Sequence, residues 1–285
     1  MPFDVLVWLR WGVIALGVLL IVRLVLPRSH STPRQLFKEI AILGVAFAAY
    51  FAVRAVAEGQ TQAFQNAAQV IEVERALGIF WEPHLQRQVL DFDFFIVLMN
   101  WIYVWGHWPF IALAGVWLFL TNRDSYHVYR NAFVISGAIG LVVFVMFPLA
   151  PPRLLDASVG FVDTVALNSV AHQVLQPPAF VNQYAAMPSL HFGWNLLVGI
   201  GLVHTATSRL MRFVGFFMPL AMFTSIVLTA NHYIIDGLAG GLLALIGLAL
   251  ALLLHRLMSQ TGGMGAPAFQ TALVRIRERT PLLRG

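Results

Sequence analysis

Apolar residues come along this chain in long runs rather than in the short alternations of a sheet. Stretches near twenty residues fall at roughly 3–26, 36–56, 94–120, 129–148, 189–206, 210–230 and 234–255. Each has the length that crosses a hydrocarbon core about 30 Å thick when wound as a helix. The pattern predicts an all-α, polytopic transmembrane bundle of about seven spans. The first run begins at residue 3, is longer than a signal-peptide core, and is followed by Pro27-Arg28-Ser29-His30 in place of a small-residue cleavage site, so it is expected to be retained.

Between the runs, residues 57–93 are too polar to span. Phe64, Ala67, Ala68, Ile71, Leu77, Trp81 and Leu85 recur there at helical spacing, which predicts one or two amphipathic helices at the membrane surface, as a cover on the bundle or as a lid over a ligand. The connection 150–187 is long, and its Pro151-Pro152 and Pro177-Pro178 pairs favour extended backbone. The expected organisation is an N-terminal part with the amphipathic segment (1–93), a transmembrane core (94–255), and a basic tail (256–285) that touches anionic lipid.

Composition agrees with this pattern. Hydrophobic residues make up 59% of the 285 positions and charged ones 11%, with a mean hydropathy of +0.76, which excludes an ordinary soluble domain. With no cysteine there are neither disulfides nor thiolate metal sites. The net charge of +5 does not indicate a nucleic-acid partner, because the cations lie in short connections between apolar runs. Twelve of the eighteen basic residues fall in 27–38, 121–130, 206–212 and 256–285. By the positive-inside rule these segments are cytoplasmic, the N-terminus is outside, and His191 and His232 lie at the outer face.

Those two histidines carry the candidate chemistry. Met187-Pro188-Ser189-Leu190-His191 and His232-Tyr233-Ile234-Ile235-Asp236 each place ionisable groups at the edge of an apolar run, where a charge is costly unless it has a function. His232 and Asp236 are spaced i and i+4, which on a helix puts carboxylate and imidazole on one face. A neutral imidazole held by Asp236 can attack phosphorus, a second, protonated imidazole can donate to the departing oxygen, and Arg153 can neutralise phosphate oxygens. Asn195, one turn beyond His191, could fix that ring's tautomer. Two imidazoles and a carboxylate could also bind a metal, but neither segment holds a further acidic residue or a His-Glu-x-x-His pattern. A proton relay in a transporter is a third possibility, although the groups cluster at one edge and no internal repeat is visible. Asn100 and His107, among Trp101, Tyr103, Trp105 and Trp108, could be bundle packing or a polar pocket below the site.

Pro188-Ser189-Leu190-His191 and His232-x-x-x-Asp236 resemble the second and third signature motifs of the type 2 phosphatidic acid phosphatase superfamily. Pro-Ser-Leu-His, with Ala150-Pro151-Pro152-Arg153 upstream and Asn231-His232-Tyr233 in the third motif, looks most like the branch that includes inositol phosphorylceramide synthases. The resemblance covers roughly residues 94–255 and implies a six-helix lipid-phosphatase-like core working without a metal or other cofactor. It implies that His232 is a nucleophile forming a phosphohistidine, Asp236 its orienting partner and His191 the general acid. Ser189 and nearby backbone N–H groups would hold phosphate oxygens, with Arg153 as the first-motif arginine and Arg75 as a second contact. The substrate would be a lipid phosphate, phosphodiester or diphosphate at the outer leaflet, with an alcohol or water as acceptor; the oligomeric state is not implied. Where the first motif normally has a lysine this chain has Met146, and where the third has an arginine it has Ile226 beside a matching Ser225.

Overall fold

The computed structural model describes residues 35, 37–46, 48, 60–165 and 183–260. Two compact units divide the chain, residues 1–58 and 59–285. In the first, residues 37–46 are helical, while the expected span at 3–26 and the second half of that at 36–56, from residue 49, lie outside the described residues. So do Pro177-Pro178 and the tail beyond residue 260.

Among the described residues of the second unit the regular elements are helices. Its helices are α1 (Gln60–Ala76), α2 (Glu82–Val89), α3 (Asp93–Trp105), α4 (Trp108–Thr121), α5 (Arg123–Met146), α6 (Leu190–Thr205), α7 (Arg209–Leu228) and α8 (Ile234–Gln260). Two short 3-10 turns, Pro152–Leu154 and Ala157–Val159, lie in the connection after α5. One isolated parallel bridge joins Leu149 to Ala185. α5, α7 and α8 are long and apolar enough to cross a membrane, and α3 with α4 supplies a fourth crossing if the bent pair is one span. α6, at 16 residues, reaches about 24 Å at the usual helical rise. Leu113, Leu120, Phe216, Leu242 and Leu253 point outward from these helices, as lipid-facing side chains do.

The structure corrects the boundaries of two expected spans. The run 94–120 is broken: α3 and α4 meet at a 50° bend around Gly106-His107. Pro109 has no N–H to give the Trp105 carbonyl, so the first helix ends there and the second begins with the proline in its first turn. The helix expected at 129–148 starts earlier, at Arg123, because the Asn122 side chain accepts from Ser125 N (3.1 Å) and caps it.

α6 packs on both α7 and α8, α8 also packs on α5, and α3 lies against α7. The α6–α8 contact is backbone to backbone. A Cβ on Gly193 would run into the Gly240 carbonyl, and one on Gly240 would run into the Ser189 carbonyl, so only glycine at these positions permits this approach.

The amphipathic segment forms α1 and α2 as expected, but with an unexpected inner face. Ala67 and Ile71 are buried, whereas Leu77 and Trp81 are exposed and Asn66, Glu74, Glu82 and Gln86 are buried. These polar side chains satisfy loop backbone. Asn66 Nδ2 donates to Pro148 O (2.7 Å), and Gln86 Nε2 donates to Val162 O (2.7 Å) and Leu228 O (3.0 Å) while its Oε1 accepts from Val162 N (2.9 Å). Non-helical backbone near a membrane needs such partners, since lipid offers none. The two helices are therefore built into the connections that surround the histidines.

Candidate active site

His191 and His232 reach one place from different elements. His191 is the second residue of α6, whose N-cap is Ser189; the Ser189 hydroxyl accepts from Phe192 N at 3.5 Å. His232 lies in the turn between α7 and α8, before α8 begins, so it and Asp236 do not share a helix as their spacing suggests. The turn is tight: Ala230 has φ 54°, and the Ile226 carbonyl accepts from both Asn231 N (3.1 Å) and His232 N (3.0 Å). The two imidazole rings are 5.6 Å apart at 55°, close enough for one phosphoryl group to touch both.

The His232 tautomer follows from its partner. Nδ1 lies 2.8 Å from the Ala186 carbonyl oxygen, which can only accept, so Nδ1 carries the proton and Nε2 the lone pair. Asp236 Oδ2 is farther from Nδ1, at 3.6 Å, and accepts from Tyr233 N at 3.0 Å. Asp236 is therefore the nearby carboxyl, while a backbone carbonyl is the direct hydrogen-bond partner. Ala186 is held by donating its own N–H to Leu149 O (3.2 Å), and Leu149 N donates to Tyr184 O (2.7 Å). Ala150, next along, donates to Ala63 O of α1 (3.1 Å) and accepts from Tyr233 Oη (3.1 Å). Burial, with the neighbouring Asp236, Glu74 and Glu82 carboxyls, holds the Tyr233 phenol above its usual range.

His191 sits in an aromatic box supplied by the bend in the third apolar run. Tyr103 stacks on it (4.6 Å between centroids, 17°), and His107 lies against it at 4.1 Å. Behind His107, Trp194 is parallel to it at 5.8 Å, stacks on Phe133 at 3.9 Å, and donates from Nε1 to Ser136 Oγ (3.2 Å). Of the two readings open for this stretch, His107 thus lies beside the candidate site. Asn100 instead bonds Thr164 in the connection, donating from Nδ2 to its carbonyl at 3.0 Å and accepting from its hydroxyl at 3.1 Å.

Arg153 belongs to the same cluster through its backbone. Its N–H donates to Ala230 O (2.8 Å), two residues before His232, and its half-buried guanidinium pairs with Asp163 (Nε to Oδ2, 3.5 Å). Ser189 is fully buried; its N–H goes to Asp236 O (2.9 Å), so this donor is committed to holding α6 against α8 rather than directed at a phosphate. Asn195 also departs from expectation: its amide donates to the His191 backbone carbonyl (3.0 Å), not to the ring. Arg75 is exposed at the end of α1, with its guanidinium over the Phe80 ring at 5.0 Å, and the structure does not bring it to the histidines. Met146, at the place of the usual lysine, is 79% exposed, whereas Ile226 is fully buried. Ser225 turns away, donating to Met99 O (2.7 Å) on α3.

The N-terminus of α8 is ringed by carboxyls that sequence spacing did not single out. Ile234 N donates to Glu82 Oε1 and Ile235 N to Glu74 Oε1, both at 2.9 Å. With Tyr233 N given to Asp236, these three donors are committed to carboxyls rather than open to a phosphate, and the carboxyls complement the helix dipole.

Fold and site together describe a helical membrane protein whose candidate reactive groups are two neighbouring imidazoles with a buried carboxyl beside one of them. A family model described as the PAP2 superfamily matches residues 68–250, and the chain belongs to that superfamily. It is accordingly an enzyme of phosphate-ester chemistry, phosphatase or phosphotransferase, embedded in a membrane and directed at a phosphorylated lipid. No curated protein and no solved structure matches it.

Proposed function

We propose that the enzyme transfers a phosphoryl-linked headgroup between lipids at the outer leaflet, through a phosphohistidine on His232 and without a metal. The observation that carries this reading is the hydrogen bond from His232 Nδ1 to Ala186 O, which leaves Nε2 as a lone-pair nitrogen on a ring 5.6 Å from that of His191. In the first step Nε2 attacks phosphorus while protonated His191 gives its proton to the departing oxygen. The Asp236 carboxylate stabilises the positive charge that develops on the His232 ring. In the second step the now neutral His191 takes the proton of an acceptor alcohol, whose oxygen displaces His232 from phosphorus and restores both rings.

Electrostatics favours a phosphodiester, and with it a transferase of the inositolphosphate type. Of the cations expected by resemblance, Arg153 alone is retained in place, and it is already paired with Asp163. Three buried carboxyls, Glu74, Glu82 and Asp236, lie behind the turn that carries His232. Such a site suits a monoanionic diester better than the dianion of a monoester or the higher charge of a diphosphate. The Pro-Ser-Leu-His and Asn-His-Tyr variants agree with that branch. The outer-face assignment has support in the basic connections at 121–130 and 206–212, on the other end of the helices from both histidines. A hydrolase using water as acceptor is the competing outcome.

The test is product analysis in chelator, using purified protein with labelled phospholipids and polyprenyl diphosphates, with and without inositol- or ceramide-like acceptors. A new phosphodiester formed only with acceptor supports the transferase. Free phosphate replaces it with a hydrolase, and dependence on added divalent metal overturns the metal-free mechanism.

A further inference from the structure

Glu74 on α1 and Glu82 on α2 have no part in the chemistry above, yet both are fully buried at the edge of a membrane protein. One oxygen of each is used, on Ile235 N and Ile234 N. The other, Oε2, meets no N–H or O–H donor from elsewhere. The two carboxyls are within hydrogen-bonding reach of each other, so a proton kept on one satisfies both remaining oxygens. Two ionised carboxylates in contact and out of water would be far more costly.

We propose that Glu74 and Glu82 form a proton-sharing clasp that fixes the first turn of α8, and through it Asp236 and the His232 turn, making the two glutamates positioning residues for phosphoryl transfer. The inference rests on the reading of His232 as the nucleophile. The clasp couples directly to the site. Ile234 and Ile235 lie between His232 and Asp236, and Asp236 Oδ2 accepts from Tyr233 N while standing 3.6 Å from His232 Nδ1. The titratable groups facing Glu74 are Glu82 on α2, Tyr233 in the turn and Asp236 on α8, with His232 behind Asp236. Arg75 on its own helix is turned to Phe80.

Burial and the adjoining Glu82 carboxyl push Glu74 up to about 9. Below that pH Glu74 keeps its proton and offers it to the Glu82 carboxyl. Above it, Glu74 becomes a carboxylate pressed against that carboxyl out of water, and the first turn of α8 loosens. Tyr233 keeps its proton across this window, since burial holds it higher still.

The experiment uses the full-length protein in lipid nanodiscs and para-nitrophenyl phosphodiesters, whose leaving group needs no proton from His191, so the rate of phosphoenzyme formation reports on His232 alone. Glu74→Gln keeps an acceptor for Ile235 N and offers an N–H to Glu82, mimicking the protonated acid. The expected result is a wild-type rate that falls as the pH passes about 9, a Glu74→Gln enzyme that keeps the neutral-pH rate without that fall, and Glu74→Ala and Glu82→Ala enzymes at least tenfold slower with unchanged KM. Infrared spectra should show a carboxylic-acid carbonyl band at neutral pH that disappears in Glu74→Gln, a readout that does not depend on turnover or on the alanine variants folding. A Glu74→Gln enzyme that retains the alkaline fall, or no change in the acid band, would overturn the clasp. Wild-type protein with no phosphoenzyme from any substrate would instead sink the reading of His232, leaving the infrared result to decide the shared proton by itself.

Discussion

The imidazoles of His107 and His191 lie 4.1 Å apart, inclined by 31°, and Tyr103 also stacks on His191, at 4.6 Å. His107 comes from the break between α3 and α4, so the bend at Gly106 has a consequence for the site: a continuous helix would carry this side chain elsewhere. The His191 ring is thus clamped against two planar groups, and both bear on its orientation.

His107→Ala should open one side of that clamp. Misorientation of a reacting group by about 1 Å can cost on the order of a hundredfold, so a fall in kcat of roughly tenfold to a hundredfold is expected, with KM little changed. His107→Phe keeps a planar partner and should retain more of the rate. Equal losses in the two variants, from steady-state kinetics, would show that stacking is not what His107 contributes.

The two site histidines should fail in different ways. On the proposed mechanism His232→Ala removes the attacking atom and should abolish turnover and the phosphoenzyme together. His191→Ala should lower kcat by about 10²–10⁴ with a lipid alkoxide leaving group, the usual range for a lost general acid, yet still form phosphoenzyme from an aryl phosphodiester. Labelling quenched in alkaline detergent, followed by base-stable phosphoamino-acid analysis, separates these outcomes. Label retained by His232→Ala at the wild-type level would rule out that residue as nucleophile.

Asp236 is expected to matter less for tautomer than a triad carboxylate usually does. In serine proteases the aspartate-to-asparagine change costs about 10⁴ because it permits the wrong tautomer. Here the Ala186 carbonyl already holds the proton on Nδ1, and asparagine can still accept from Tyr233 N. Asp236→Asn should therefore lose only the charge that stabilises the imidazolium, on the order of a hundredfold in kcat, a typical loss for one preorganised electrostatic contact. Asp236→Ala should be worse, because Tyr233 N is then left buried without an acceptor. A loss near 10⁴ in Asp236→Asn would assign tautomer control to the carboxylate after all.

How much of this was legible beforehand differs from one residue to the next, for physical reasons. The apolar runs and the two histidine segments were readable because lipid imposes a length on helices and a cost on charges, and both leave marks in sequence. The Ala186 carbonyl was not readable, since any residue at that position supplies the same backbone oxygen. Glu74 and Glu82 were passed over because charged residues on a polar helix normally face water. Arg75 attracted notice as a cation, yet one residue along a helix turns the side chain by about 100°, and it is its neighbour Glu74 that faces inward. The break at Gly106 was hidden by unbroken hydrophobicity, with Pro109 the available signal.

Gly240→Ala should disrupt the site from outside it. The added Cβ would collide with the Ser189 carbonyl, which is backbone and cannot swing away, so α6 and α8 must separate at the level of both histidine segments. Overpacking of this kind costs about 1–3 kcal/mol, and here it also acts on the Ser189 N–H to Asp236 O bond. A lower unfolding temperature together with a fall in kcat is expected. Unchanged stability would mean that the two helices have slack at this contact.

Stability should depend on pH through Glu74 in a direction opposite to that of a salt-bridged carboxylate. The folded protein keeps this proton until about pH 9, because burial disfavours the anion, while the unfolded chain releases it near the ordinary 4.5. Between these values the unfolded state binds fewer protons than the folded state, so the free energy of unfolding decreases as pH rises. The contribution is complete below 4.5 and is lost progressively up to about 9, beyond which both states are ionised and the slope vanishes. Glutamine has no proton to lose, so Glu74→Gln should remove this component of the slope while leaving every other titrating group in place. Thermal unfolding of the two proteins in nanodiscs, measured across that interval, gives the difference directly. Curves that run parallel would show that Glu74 is ionised in the folded protein, and the shared proton would then have to be given up.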